Sequence, residues 1–180
     1  MTPEPIANYL SRRIATRFQV EAREESANVL DPFVGVGGNF IQFSLECGFC
    51  VGVDLDDSKI QLTRHNSNIY GLREGTDYQL VNSDFLKLPS LDCNNSIIKF
   101  PGPNKQIDAV FLSPPWGGSG YYYLPEYKLE HIFPAFSKIL EKATQFSSNL
   151  LIFLPRNTSI ADLIDHLRPF HKQLLGEARR

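Results

Sequence analysis

Four apolar runs in this chain each end on a polar residue, and that repeated pattern restricts the fold more than any other feature. Val29-Leu30 ends on Asp31, Phe49 to Val53 on Asp54, Tyr78 to Val81 on Ser83-Asp84, and Ile107 to Leu112 on Ser113. Between the first two lies Gly35-Val36-Gly37-Gly38, followed by Phe40, Ile41, Phe43 and Leu45, which suggest a helix. The unit then repeats: Asp57 to Tyr70 carries Ile60, Leu62 and Ile69 in a polar background that Gly71 terminates. A fifth run, Leu150 to Leu154, ends on Pro155-Arg156. Near-continuous apolar runs of this length read as buried parallel strands. Strands alternating with helices predict an α/β fold, an open and mostly parallel sheet with helices on both faces and right-handed crossovers. In such a sheet ligands sit outside the carboxyl ends of the strands, so Asp31, Asp54, Asp84 and Ser113 are predicted to converge on one edge.

The remaining elements fit the same plan. A helix over about 3–18 is predicted, with Thr2 as N-cap, Pro3 in the first turn and Ile6, Leu10 and Ile14 as its apolar stripe. Tyr127 to Lys142 carries Leu129, Ile132, Phe133, Phe136, Ile139 and Leu140 at helical spacing, and Thr158 to Leu167 reads as a last short helix. Pro89 to Lys105 reads as an irregular connection. With 180 residues and 42% apolar content the chain can bury a real core. One domain over 1–180 is expected, its core over about 27–170.

Composition narrows the function classes. No apolar run approaches the roughly 20 residues of a membrane span, and Met1-Thr2-Pro3-Glu4-Pro5 has no basic start or apolar core, so an intracellular, soluble protein is expected. Cys47, Cys50 and Cys93 cannot all pair with one another, and reduced thiols are expected. Cys47-Gly48-Phe49-Cys50 has the spacing of half a zinc site, but no second Cys or His pair answers it, so no metal is expected. A net charge of -2 argues against gripping long nucleic acid through a clustered basic face. Recognition of a small ligand or a single nucleotide stays open.

The loop after the first strand points to an adenosine-containing cofactor. Small residues at Gly35, Gly37 and Gly38 let the backbone approach a ligand closely, and the helix N-terminus beyond favours a negative group such as a carboxylate. Asp54 ends the second strand, where an acid accepts from both ribose hydroxyls of an adenosine. Asp84 has the placement to accept from the adenine amino group, with Leu55 and Phe85 sandwiching the ring. The dinucleotide pattern would need glycine where Phe40 stands, and a P-loop would need Lys followed by Ser or Thr; neither is present.

Ser113-Pro114-Pro115-Trp116, after the fourth strand, resembles the polar-Pro-Pro-aromatic motif of amino-group methyltransferases. An exocyclic amine on a base has its lone pair drawn into the ring, so acceptors must hold it in line with the incoming methyl. The Ser113 hydroxyl and the Pro114 carbonyl are the candidate acceptors, and the two rigid prolines fix them. Trp116 would stack the base, with added attraction if that base is cationic, as 7-methylguanine is.

Over nearly its whole length the chain resembles the trimethylguanosine synthase family. The resemblance runs through Thr2-Pro3-Glu4, Asp31-Pro32-Phe33, Gly35 to Asn39, Ile41-Gln42-Phe43, the Asp54 segment, Ser113 to Gly118 and Phe153-Leu154-Pro155-Arg156-Asn157. It implies a Rossmann-like class I S-adenosylmethionine-dependent methyltransferase acting on guanine N2 of the 7-methylguanosine cap of small nuclear and nucleolar RNAs. Asp31, Phe33 and Asn39 would then join Gly35, Gly37, Asp54, Leu55, Asp84 and Phe85 around the cofactor. Ser113, Pro114 and Pro115 would hold the amine, Trp116 would stack the methylated guanine, Asn66 would contact the base edge, and Tyr121 and Arg156 would meet the triphosphate bridge. The resemblance further implies a monomer that takes capped RNA as partner, resident in the nucleus, with nucleolus and then cytoplasm as other locations. The family has a segment before the Thr-Pro-Glu helix and further strands at the end of its sheet, and this chain is expected to lack both.

Two other readings use the same residues. One is an amino-group methyltransferase acting on adenine N6 or guanine N2 within a longer RNA, which should carry a basic groove. The other is a capped-RNA binding module that keeps Trp116 without turnover.

Overall fold

Along every strand of the sheet, alternate side chains enter two different cores, and this period of two places helices on both faces. The computed structural model describes residues 2–19, 26–91 and 97–177. Its strands are β1 (Val29–Asp31), β2 (Cys50–Asp54), β3 (Tyr78–Asn82), β4 (Ala109–Leu112) and β5 (Leu150–Ile152), all parallel, in the order β3-β2-β1-β4-β5. Val29, Cys50, Tyr78, Leu80, Ala109 and Phe111 face one core. Helices α1 (Glu4–Gln19), α2 (Phe40–Glu46) and α3 (Asp57–Ile69) cover it through Ile14, Phe18, Phe40, Phe43 and Ile60. Leu30, Val51, Val53, Val81, Val110 and Leu112 face the other core, closed by Phe136, Ile139 and Leu140 of α4 (Phe136–Thr144) and by Leu163 and Leu167 of α5 (Ile160–Glu177).

The strand order reverses between β1 and β4. From β1 the chain moves outward through β2 to β3, then returns to the other side of β1. The two loops leaving this switch point diverge, and the space between them is where an open α/β sheet binds its ligand. The predicted Rossmann-like α/β sheet therefore stands, and in the described residues it is wholly parallel.

Several element boundaries differ from the sequence expectation. Helix α1 buries Ala7, Ser11, Ile14 and Phe18, a 4-3-4 spacing that sets them on one face, while Ile6 is exposed, because the small Ala7 and Ser11 let the helix sit close to α2. Thr2 is not its cap: the Pro3 carbonyl accepts the first amides, from Ile6 and Ala7, and the Thr2 hydroxyl accepts from Asn39 Nδ2 at 3.0 Å. The helix predicted from Tyr127 begins only at Phe136. Tyr127 instead pairs backbone to backbone with Asn157 and Ser159, a short 3-10 turn follows at Leu129–His131, and Pro134 bars an earlier start. Helix α5 runs through Pro169 to Glu177, well beyond Leu167. Cys93 and Ala178-Arg179-Arg180 lie outside the described residues. Cys47 and Cys50 are free thiols, and burial pushes Cys47 up to about 12.

Candidate active site

Asp31 closes β1 and is only 2% exposed. Burial pushes its carboxyl up to about 7 against the hydrogen bond from the Phe33 amide, with the Asp54 charge adding to the rise. A buried acid whose proton is this weakly decided is built to face a cation or a donor. Asp54 closes β2 and accepts from the Gly35 amide and from the Asp56 amide, both at 3.0 Å, with Lys59 Nζ 3.9 Å away. Its carboxylate thereby ties the end of β2 to the glycine loop. A carboxylate offers about four lone-pair positions, so two remain for a pair of hydroxyls.

The loop itself is held from α3. Thr63 Oγ1 donates to the Gly35 carbonyl at 2.8 Å, and Asn66 Nδ2 donates to the Val36 carbonyl at 2.9 Å. Gly37 sits at φ +93°, and a Cβ there would come within 3.1 Å of Thr63 and 3.3 Å of Ile41. Asn39, just before α2, spends its amide nitrogen on Thr2, and its Oδ1 is buried without a partner. An orphaned buried acceptor beside a glycine loop costs stability unless a ligand donor meets it.

At the β3 end, Asp84 accepts from the Leu86 amide at 3.0 Å and caps a short 3-10 turn over Phe85–Lys87. The expected sandwich of Leu55 and Phe85 is not what forms. Phe85 is 3% exposed and packs edge-on against Phe33 at 5.9 Å, so it belongs to the core, whereas Leu55 is 74% exposed. The aromatic surface at this place is the half-buried Phe33.

Ser113, half-buried, and Pro114, buried, leave β4 and are followed by the exposed Pro115. Trp116 stands next, its ring centroid 5.6 Å from Phe153 and 5.6 Å from Tyr121, the latter edge-on at 90°. The Trp116 carbonyl accepts from the Tyr127 hydroxyl at 3.3 Å, and its Nε1 is buried with no partner. Gly117 and Gly118 both lie at positive φ and a side chain at either would meet only open space, so the chain turns sharply and leaves room beside the indole. Tyr121 stacks on Tyr122 at 4.2 Å, and its hydroxyl is pushed up chiefly by the hydrogen bond with Tyr122, while the neighbouring positive charge of Arg156 acts the other way. Asn157 clamps this segment by donating to the carbonyls of Tyr121 and Leu124.

The structure thus brings together Asp31, Phe33, Gly35, Gly37, Asn39 and Asp54 around one loop, and Ser113, Trp116, Tyr121 and Arg156 around the other. Asn66, in the third turn of α3, donates its Nδ2 to the Val36 carbonyl and so braces the glycine loop. Sequence reasoning missed Thr63, Tyr122, Tyr127 and Phe153 as supports. Thr63 and Tyr127 carry no local signal, since only the fold brings them to Gly35 and Trp116. Tyr122 lies inside Gly-Tyr-Tyr-Tyr, where repeated aromatics directly after a substrate motif could have drawn notice. No group of His, Cys, Asp and Glu suited to a metal ion, and no helix long and apolar enough to cross a membrane, occurs among the described residues.

Comparison with known proteins gives this geometry a context. Residues 26–177 match the family model described as RNA cap guanine-N2 methyltransferase. The chain is 31% identical over 182 aligned residues to the trimethylguanosine synthase of Schizosaccharomyces pombe, covering 98% of this chain and 70% of that protein. It is 33% identical to the trimethylguanosine synthase of Saccharomyces cerevisiae over 91% of this chain and 48% of that protein. Among solved structures, magnesium protoporphyrin IX methyltransferase from Synechocystis, with bound S-adenosylmethionine, superposes with a TM-score of 0.57 over 90% of this chain and 67% of its own, at 12% identity.

Proposed function

This chain belongs to the RNA cap guanine-N2 methyltransferase family, and from that premise we propose that it transfers methyl groups from S-adenosylmethionine to the N2 amine of a 7-methylguanosine cap. The fold is that of the class I S-adenosylmethionine-dependent methyltransferases. The observation that carries the reading is the adjacency of β1 and β4: the glycine loop and the Ser113–Trp116 segment leave neighbouring parallel strands, so donor and acceptor meet at the switch point.

The residues present fit the cofactor. Asp54 keeps two acceptor positions for ribose hydroxyls, Asp31 and the orphaned Asn39 Oδ1 offer acceptors for an ammonium group, and the glycines let a ligand approach the backbone. When bound, the sulfonium supplies an electrophilic methyl. Trp116 presents a face for the cationic 7-methylguanine, worth about 2 kcal/mol when desolvated. The Ser113 hydroxyl and the Pro114 carbonyl accept from the N2 amine and aim its lone pair, a gain of position rather than of acid or base strength. Each transfer would exchange one N2–H bond and the sulfonium's S–CH₃ bond for an N2–CH₃ bond, with a neutral thioether and one proton as the other products. Asp84 and Leu55 stand at the adenine end. The small nuclear and nucleolar RNA substrates, nuclear residence, with nucleolus or cytoplasm as other places, and a monomeric state belong to the same proposal. They are supported by the resemblance to the hypermethylating family.

The test is turnover with S-adenosylmethionine and 7-methylguanosine diphosphate, with unmethylated guanosine diphosphate as control and mass spectrometry to count methyls. One or two methyls on the methylated substrate alone are expected. Binding of the cap analogue with no methyl transfer would identify a binding module instead.

A further inference from the structure

We propose that Tyr122 is a stacking platform for the base of the nucleotide that follows the cap, so that the site reads a cap dinucleotide and not the cap nucleotide alone; this rests on the cap reading above. Tyr122 is 65% exposed, yet it is no free ring. One of its faces lies on Tyr121 at 4.2 Å and 28°. Tyr121 is in turn fixed edge-on to Trp116 and to Tyr127, and its carbonyl is held by Asn157. The ring contacts therefore run outward from Trp116, first edge-on to Tyr121 and then stacked onto Tyr122, and they end in an aromatic face turned to solvent.

That order of groups matches the order of groups in a capped RNA. Trp116 is the face for the methylated guanine, and Arg156, exposed and electrostatically coupled to the Tyr121 hydroxyl, is the cation for the bridging phosphates. Tyr122 then stands where the next base arrives. A fixed exposed ring gives up little conformational entropy when a base settles on it, and every base offers a π-face, so the platform needs no particular sequence. It also needs no basic groove, in keeping with the chain's net charge of -2.

The experiment compares kcat/KM for 7-methylguanosine triphosphate and for the dinucleotide in which the same triphosphate carries an adenosine. Wild type is expected to prefer the dinucleotide by at least about five-fold, the lower bound for one base–aromatic stack. Tyr122→Ala should bring the ratio close to one, and Tyr122→Trp should retain or raise it. Because the ratio cancels any loss transmitted through Tyr121 to both substrates alike, it isolates the platform. Equal use of the two substrates by wild type, or an unchanged ratio in Tyr122→Ala, would overturn the proposal. Methyl transfer to neither substrate would refute the cap reading and this proposal with it, whereas transfer to both at equal rate refutes the platform alone.

Discussion

Replacing Asp31 with asparagine should make the protein free of cofactor more stable at neutral pH, by an amount that grows with pH. The Asp31 carboxyl is buried at the end of β1, and burial carries it from its ordinary 3.8 to about 7. In the folded state it therefore keeps its proton to higher pH than it does in the unfolded chain. Between about pH 4 and 7 the folded state binds more protons than the unfolded one, so stability falls as pH rises through that window, and above it the loss is complete. A rise from 3.8 to about 7 corresponds to about 4 kcal/mol. Asparagine preserves the shape and one acceptor oxygen for the Phe33 amide, which now bonds at 3.2 Å, but carries no charge to bury. Urea unfolding of wild type and Asp31→Asn at pH 4.5, 6, 7 and 8, without cofactor, should give stabilities that differ by about 1 kcal/mol at the lowest pH and separate progressively in favour of the variant. The same substitution should weaken S-adenosylmethionine binding, since the charge removed is the one proposed to face the ammonium. A stability difference that does not change with pH would refute the reasoning.

Four further outcomes are expected. Asp54→Ala should lose cofactor affinity, and also about 2 to 3 kcal/mol of stability because the Gly35 and Asp56 amides lose a charged acceptor; Trp116→Ala should instead abolish cap methylation while sparing cofactor affinity, and calorimetric titration with each ligand separates the two. Gly37→Ala should destabilise by at least about 1 to 2 kcal/mol, from the positive φ of +93° alone, with the close approach to Thr63 adding to it; thermal unfolding reads the loss, and an unchanged midpoint would contradict the backbone geometry. Cys47, raised to about 12 by burial, should resist alkylation at pH 8 in the folded protein and react at the ordinary thiol rate once urea exposes it, as a timed mass-spectrometric labelling would show.

Much of the sheet was legible because its strands are buried on both faces and read as unbroken apolar runs ending in Asp31, Asp54, Asp84 and Ser113. Helix limits were less so. The small residues Ala7 and Ser11 bury the close face of α1, a choice set by the neighbouring helix and not by hydrophobicity. The 127–142 stretch has helical spacing throughout, yet Tyr127 finds backbone partners 30 residues on, at Asn157, a long-range competitor that local pattern cannot reveal. Around the site, Asp31, Asp54, the glycine loop and the Ser113–Trp116 segment stood out through their residue types and order. The supports did not: Thr63 reaches the Gly35 carbonyl and Asn66 the Val36 carbonyl only through the fold, and Phe85 is an aromatic at the right position whose ring the core has taken.

The pairing of Val29 with Ala109 and of Leu30 with Val110 has a bearing on more than topology. It works as a ruler. Adjacent strands are held about 4.8 Å apart by their hydrogen bonds, and each residue along them advances about 3.3 Å. A slip of one residue between β1 and β4 would move the acceptor-side loop by that step relative to the donor-side loop and turn its side chains to the opposite face. In-line transfer tolerates errors far smaller than this. The alignment of the two reactants is thus written into backbone pairing at the centre of the sheet, where no hinge is required and thermal opening is least frequent.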